Sequence, residues 1–404
     1  MGVGIGDIEH YGRVLLNYIK DRRRRGLEDA QWRGRRDRRL VPLVKRLYPR
    51  YSSALFRFGE VEFPSVVFRR PPDDGRVDDV LIGLDIDGLH PIDREIAKVG
   101  DIYLGLLKES GRPLVNRITY CFDNLDLGSR RIGCSVGRYY DDLKTCFVLS
   151  WELLTHLGKA DPEVDVDSIS SELVLRNHLS ETVNDPVTDP SGRRPSVGIV
   201  TTTMFRRGDE AAVLLGVRAA KGVAAEDGLR CPIPGGIFQP MVTSGEEVKL
   251  EYSVQHNVFR EYLEELFSVP EVKVPVKPIS HQYFYRNPNL MFLRGLIDAG
   301  EASLTVTGVA VDLLTLRLDI LTTLDIKTPR WFRAHEAGGE GVDEIKFNEE
   351  WEGVADDPTL GLPVMQAERV LRLGLSPSNA LPSGAASLGL ALEREGIQAI
   401  SNVK

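Results

Sequence analysis

The chain has 404 residues, too many for one small hydrophobic core and enough for two domains. Apolar residues at 42% and charged residues at 27% give the balance of an ordinary globular protein, which argues against a disordered or membrane-embedded chain. A net charge of −8 provides no overall attraction to nucleic acid, so binding of that kind would need a local basic patch.

The N-terminus, MGVGIGDIEHYGRVLL, has no basic lead into an apolar run, so no signal peptide is expected, and Gly6 stands where N-myristoylation needs Ser or Thr. No segment approaches the length of apolar chain needed to span a bilayer. The four cysteines (Cys121, Cys134, Cys146, Cys231) form no C-x-x-C pair and read as reduced thiols, consistent with a cytoplasmic location. Between Lys20 and Arg39 a helical segment holds ten Lys or Arg against four acids. Its simplest reading is a solvated helix face or an arm, with nucleic acid or phosphate as the alternative partner.

From about 60 to 160 strands and helices alternate. Residues 77–87 read as a buried strand turning at Gly88, and 91–111 as a helix with Pro91 near its start and Gly111 at its end. Residues 116–123 and 130–140 read as strands, and 143–158 as a helix. The Asp-, Ser- and Pro-rich stretch 159–196, with one short helical candidate, is expected to connect two domains, 1–190 and 196–404. The second opens with a hairpin, 197–207 and 211–219 around Gly208-Asp209, then IPGGIFQP at 233–240. A long or broken helix is expected over about 245–267, with Ser244 and Glu247 at capping-box spacing. Strands are expected at 280–286, 290–298 and 302–314, followed by an acidic loop at 336–357 and helices near 363–374 and 384–395.

Within FREYLEELF, Glu261, Glu264 and Glu265 fall on one helix face, with Val258, Tyr262, Leu263, Leu266 and Phe267 on a packing face. Clustered carboxylates raise one another's pKa unless a cation lies among them, and Mg²⁺ or Mn²⁺ favours such an oxygen-rich setting. Gly235 and Gly236 let the backbone turn tightly or approach a ligand.

The pairing of PGG at 234–236 with REYLEE at 260–265 resembles the Nudix hydrolase box: Gly, five residues, Glu, seven residues, then Arg-Glu-apolar-any-Glu-Glu-any-Gly-apolar. Arg260, Glu261, Tyr262, Glu264 and Glu265 match it position by position, and Gly236 matches its first glycine in kind. Two departures stand out. Ten residues are inserted, so that Glu246, Glu247 and Glu251 compete for the isolated Glu, and Phe267 replaces the closing glycine. The resemblance implies a Nudix-like α/β/α sandwich after an N-terminal mixed α/β domain. It also implies metal-dependent hydrolysis of a nucleoside diphosphate linked to another moiety. Glu261, Glu264 and Glu265 would hold Mg²⁺ or Mn²⁺, Arg260 would anchor the helix or orient a carboxylate, and Gly235 and Gly236 would border the substrate. Its alternative is a Nudix-like ligand sensor without turnover, acting through the N-terminal domain on a protein or nucleic acid; self-association is also open.

Other sites compete less well. LIGLDIDG (81–88) is similar to the nucleophile motif of haloacid-dehalogenase-like phosphatases, with Asp85 as nucleophile and Asp87 as acid and base, but Leu89 departs from that motif and no later Lys and acidic pair complete it. A strand ending in a polar turn is the preferred reading. The seven histidines form no zinc-binding pair, and His256 reads as a surface residue. No P-loop or nucleophile elbow is present, Cys231 has no activating neighbour in sequence, and Tyr283, Phe284 and Tyr285 are aromatics for stacking or packing.

Overall fold

The structure is a computed structural model that describes residues 7–71, 76–86, 90–111, 114–219, 226–241, 247–270, 283–353, 364–401 and 403. The chain forms a mixed α/β fold. Its N-terminal half begins with α1 (Asp7–Arg24), α2 (Ala30–Arg35) and α3 (Leu40–Leu47), then β1 (Leu55–Phe58), β2 (Val61–Arg69), β3 (Leu81–Asp85), α4 (Arg94–Glu109), β4 (Ile118–Asp126) and β5 (Arg131–Arg138). A short helix α5 (Tyr139–Asp142) runs through a π-helical turn into α6 (Val148–Lys159), followed by α7 (Val166–Ser171) and α8 (Val174–Thr182).

The C-terminal half contains β6 (Gly198–Arg207), β7 (Glu210–Arg218), β8 (Arg230–Pro232), β9 (Gly235–Ile237), α9 (Glu247–Leu250), α10 (Val254–Phe267) and α11 (Pro288–Asp298). It continues through β10 (Ala302–Asp312), β11 (Arg317–Ile326), α12 (Arg330–Ala337), β12 (Trp351–Gly353), β13 (Val364–Gln366), α13 (Pro382–Arg394) and β14 (Ile400–Ser401).

Among the described residues, one large sheet runs in the order β12-β7-β6-β11-β10-β2-β1-β14, with β8 and β13 on β7 and β9 on β6. Strands before and after residue 190 therefore share it: Gly308–Asp312 of β10 pair antiparallel with Arg69–Ser65 of β2. Arg193 reinforces the junction by donating to the Leu316 carbonyl at 2.9 Å, and Asp142 of α5 ion-pairs with Arg317 of β11 at 3.2 Å. The second sheet, β3-β5-β4, belongs wholly to the first half.

Strand alternation sends neighbouring side chains to opposite faces, and helices cover both. Val200, Met204, Val213, Leu215 and Leu321 pack with Leu388 and Leu392 of α13 on one side. Phe205, Leu214 and Leu324 pack with Phe259, Tyr262, Leu263 and Leu266 of α10 on the other.

Several expected elements differ. The stretch 77–87 is a 3₁₀ turn (Val77–Val80) leading into β3, and this strand is not buried. It pairs only with β5, and Ile82 is 48% exposed. The connection 159–196 contains two helices, with Asp165 capping α7 by accepting from the Ser168 N–H. By contrast, the helix expected as long or broken over about 245–267 is present in its broken form, and Ser253 restarts it as the α10 cap. Residues 290–298 form helix α11 instead of a strand, because Asn287 caps it and Pro288 occupies its first turn. Tyr283–Arg286 is a 3₁₀ turn, and the expected helix near 363–374 is β13 followed by a 3₁₀ segment. Asp87, Gly88, Leu89, Ser244, Glu246 and residues 280–282 lie outside the described residues, as does the Glu247 side chain.

The basic run lies on α1 and α2 and is partly neutralised: Lys20 pairs with Glu109, Arg25 with Asp21, Arg36 with Glu28 and Arg39 with Asp37. All four cysteines are free and buried. No helix among the described residues is long and apolar enough to cross a membrane.

Candidate active site

The site is built on α10. Its start is fixed by Ser253, whose Oγ accepts from the His256 N–H at 3.1 Å while donating to Asp78 of the first half at 2.8 Å. The helix then presses against β9 so closely that its polar side is enclosed as well as its apolar one. Arg260, Glu261 and Glu265 are all buried, and only Glu264 retains partial exposure. The expected division into a packed face and an open face does not hold, because β9 and the segment before β12 cover the carboxylates.

The two glycines explain the close approach. A Cβ on Gly236 would fall 2.5 Å from Glu261 Oε1, so only glycine leaves space for that carboxylate. The Gly235 N–H donates to Glu265 Oε2 at 3.0 Å. The other oxygen, Glu265 Oε1, is buried without a hydrogen-bond partner, an arrangement that is costly unless another group serves it.

Arg260 lies inside the cluster. It donates to Glu261 Oε1 at 2.6 Å and to Glu264 Oε2 at 3.3 Å. Burial opposes its charge, but Glu261, Glu264 and Glu251 outweigh burial and hold the guanidinium charged. Of the three acids competing for the isolated box position, Glu251 is thus placed beside Arg260; it is buried and accepts from the Met241 N–H at 2.5 Å.

A fourth carboxylate joins from a segment that the sequence marked only as acidic. Glu350 neighbours Glu261 and Glu265, and burial together with Glu261 raises its pKa to about 7. Its position follows from backbone satisfaction at the end of α10. The Lys346 N–H donates to the Leu266 carbonyl at 2.8 Å and the Asn348 N–H to the Glu265 carbonyl at 3.2 Å, filling acceptors that a helix C-terminus leaves open. Trp351 then pairs with Arg218 at the end of β7. Nine acids between 336 and 357 concealed this one in the sequence.

The end of the helix is set by its neighbours as well. Phe267 remains helical, packing edge-on against Tyr262, and the left-handed exit falls on Ser268 (φ 49°). Ser268 Oγ donates to the Lys346 carbonyl at 2.8 Å, tying the exit to the segment that carries Glu350.

Burial and Glu261 raise Glu264 to about 7 against the opposing pull of Arg260, while burial with Glu261 and Glu350 pushes Glu265 well above the usual carboxylate range. Two further cations lie at the margins. Arg117, half-buried before β4, is in electrostatic reach of Arg260, Glu264 and Glu261, and Arg218 is in reach of Glu265 and Glu350. Neither stands in a recognisable motif.

The four carboxylates, of which Glu265 keeps one buried oxygen without a partner, are hard-oxygen donors of the kind that Mg²⁺ or Mn²⁺ prefers. As placed, among the described residues no three His, Cys, Asp or Glu side chains converge on one metal position. The ion pairs of Arg260 with Glu261 and Glu264 occupy part of that coordinating capacity.

The remaining candidates lie elsewhere. Asp85 borders a separate cleft of about 650 Å³ with His90 and Asp123. His256 is buried, not at the surface, with its ring 4.7 Å from Phe284. Phe284 stacks on Tyr285 at 4.8 Å, and burial raises the Cys231 thiol to about 12. No protein-family model matches the chain, and no curated protein matches it either.

Proposed function

We propose that the chain is a divalent-metal-dependent hydrolase acting on a nucleoside diphosphate linked to another moiety. The observation carrying this reading is the Glu265 carboxylate, held to Gly235 by one oxygen with the other buried and unpartnered beside Glu261 and Glu350. The resemblance of Gly236 and Arg260–Glu265 to the Nudix box supports it.

Glu261, Glu264 and Glu265 would hold the cation, with Glu350 beside them. Bound Mg²⁺ or Mn²⁺ would neutralise diphosphate oxygens and acidify an attacking water. Glu350, on the segment facing the helix, would take a proton from the water whose oxygen bonds to phosphorus, while the bridging P–O bond breaks and the bridging oxygen departs with its electron pair as a phosphate anion. A carboxyl group titrating near neutrality is suited to that exchange. Arg260 keeps Glu261 and Glu264 oriented. Gly236 leaves the space in which Glu261 sits.

A panel of nucleoside diphosphate derivatives incubated with Mg²⁺ or Mn²⁺ tests the reading. Turnover should occur in the wild type and fall at least a hundredfold in Glu264→Gln. A second reading has its own observation, since Arg260 already ion-pairs both Glu261 and Glu264. The chain would then bind such a ligand without hydrolysing it, and saturable binding with no product would select that alternative.

A further inference from the structure

We propose that Glu172, His156, Tyr11 and Glu152 form a hydrogen-bonded relay that takes up one proton, and that this proton latches the start of α1 to α6 and α8. The latch lies wholly in the first half of the chain and is independent of the carboxylate site on α10.

The relay runs from the surface into the core. Glu172, which ends α7 with 60% of its side chain exposed, places Oε2 3.2 Å from His156 Nδ1. His156 on α6 is only 5% exposed, and its Nε2 lies 2.9 Å from the Tyr11 hydroxyl. That hydroxyl reaches Glu152 Oε1 at 2.8 Å, one turn earlier on α6 and fully buried. Glu152 is fixed in turn by the first turn of α8, where the Leu175 N–H donates to Oε1 at 2.7 Å and the Arg176 N–H to Oε2 at 3.3 Å. Such amides are left open at a helix start. The Tyr11 and His156 rings lie 19° from parallel with centroids 5.8 Å apart, and Ile8 and Leu15 bury α1 on either side of Tyr11.

Hydrogen counting shows what the relay lacks. Its three links, Glu172 to His156, His156 to Tyr11 and Tyr11 to Glu152, each need one hydrogen between the heavy atoms. A phenol supplies one and a neutral imidazole one, whereas ionised carboxylates only accept. With both glutamates ionised, two acceptors must therefore face each other, at a cost in a buried setting. One added proton completes the relay: Nδ1–H donates to Glu172, Nε2–H to Tyr11, and the Tyr11 O–H to Glu152. Placed on Glu152 instead, the same proton reverses the two inner bonds and still fills all three links.

The surrounding groups select between these placements. Burial and then Lys159 oppose a charged imidazole, while Glu172 favours it. Burial raises Glu152 to about 7 against the pull of the Leu175 N–H and Arg176. The Tyr48 hydroxyl, in electrostatic reach of Glu152, accepts from the Arg176 guanidinium. The proton therefore resides at the inner end, on Glu152. A free imidazole holds its proton up to 6.5 and a free carboxyl up to 4.5, whereas the latched relay holds one up to about 7. The latch is thus complete below 6.5 and is lost as pH rises through about 7.

Hydrogen–deuterium exchange of the full chain at pH 6 and pH 8, with labelling times scaled to the intrinsic exchange rates, tests the latch. Wild-type protection of the α1 amides around Tyr11 should fall at least threefold from pH 6 to pH 8. Glu172→Gln, at an exposed position, offers an amide N–H to Nδ1 and so supplies the missing hydrogen at every pH; its protection at pH 8 should match that at pH 6. Tyr11→Phe cuts the relay and should show the wild-type pH 8 level, or less, at both pH values. A merely structural contact would leave the wild-type fall in Glu172→Gln. Equal wild-type protection at the two pH values overturns the inference, as does a Glu172→Gln variant that falls like wild type or is unprotected at both. Should Tyr11→Phe fail to fold, wild type and Glu172→Gln decide.

Discussion

The Glu261 carboxylate occupies the space that a side chain on Gly236 would fill, with its Oε1 2.5 Å from that absent Cβ. Gly236→Ala must displace a carboxylate already held by Arg260 at 2.6 Å. Because the displaced group is a side-chain end and not backbone, the cost should fall on the site more than on the fold, at about 1–2 kcal/mol of stability. Mn²⁺ affinity should drop at least tenfold. Calorimetry together with a thermal melt checks this, and an alanine variant with wild-type Mn²⁺ affinity would show that the contact has no bearing on the site.

Glu265 poses the opposite trade. Its raised pKa reflects burial and the nearby Glu261 and Glu350, while the Gly235 N–H favours its charged form. Glu265→Gln preserves an acceptor for that N–H and removes the charge. At pH 8 without metal the variant should melt at least roughly 2 °C higher than wild type, yet bind Mn²⁺ at least tenfold more weakly. Loss of both stability and affinity would count against the carboxyl being a strained group retained for a ligand.

The pH dependence has a definite sign. Glu264 and Glu350 have pKa values near 7 in the folded chain against an ordinary 4.5. Raised carboxyl values contribute stability fully at pH below 4.5, and that contribution is lost as pH rises through about 7. These two groups should therefore make the metal-free protein less stable at pH 8 than at pH 5.5. Divalent cations compete with protons for the same oxygens, so the rise in melting temperature produced by Mn²⁺ should be larger at pH 8. Differential scanning calorimetry at the two pH values measures both effects, and an Mn²⁺ shift that is larger at pH 5.5 contradicts the assignment.

Local chemistry made the mixed α/β class and the nearness of the glycine turn to the acidic helix readable in the sequence. Gly235-Gly236 and the i, i+3, i+4 carboxylates each require a particular neighbour, and β9 and α10 meet as those requirements imply. What escaped was non-local. Glu350 reaches the cluster because Lys346 and Asn348 satisfy open carbonyls of α10, a relationship that depends on where a helix ends in space. The pairing of β2 with β10 joins residues more than two hundred positions apart, which no local pattern encodes. LMFLRGLID reads as a strand yet forms a helix, because a short apolar run has no decisive period. The informative signal lay just before it, in Asn287 as cap and Pro288 in the first turn. Burial of Arg260 was invisible because a charged residue enters a core only when its partners are already in place.

The last prediction concerns how α10 ends. Ser268, the residue after Phe267, carries the left-handed exit of the helix at φ 49°. Left-handed backbone costs an L-residue roughly 1–2 kcal/mol, and more for a β-branched side chain. The Oγ bond to the Lys346 carbonyl at 2.8 Å offsets part of that cost. Ser268→Gly should remain near wild-type stability, losing one hydrogen bond and the strain together. Ser268→Val loses the bond and deepens the strain, so its urea midpoint should correspond to about 2 kcal/mol less stability than the glycine variant. Because Lys346 begins the segment that positions Glu350, the valine variant should also bind Mn²⁺ more weakly. Equal urea midpoints for the two variants would mean that the helix exit tolerates any residue, and that the position of Glu350 does not depend on it.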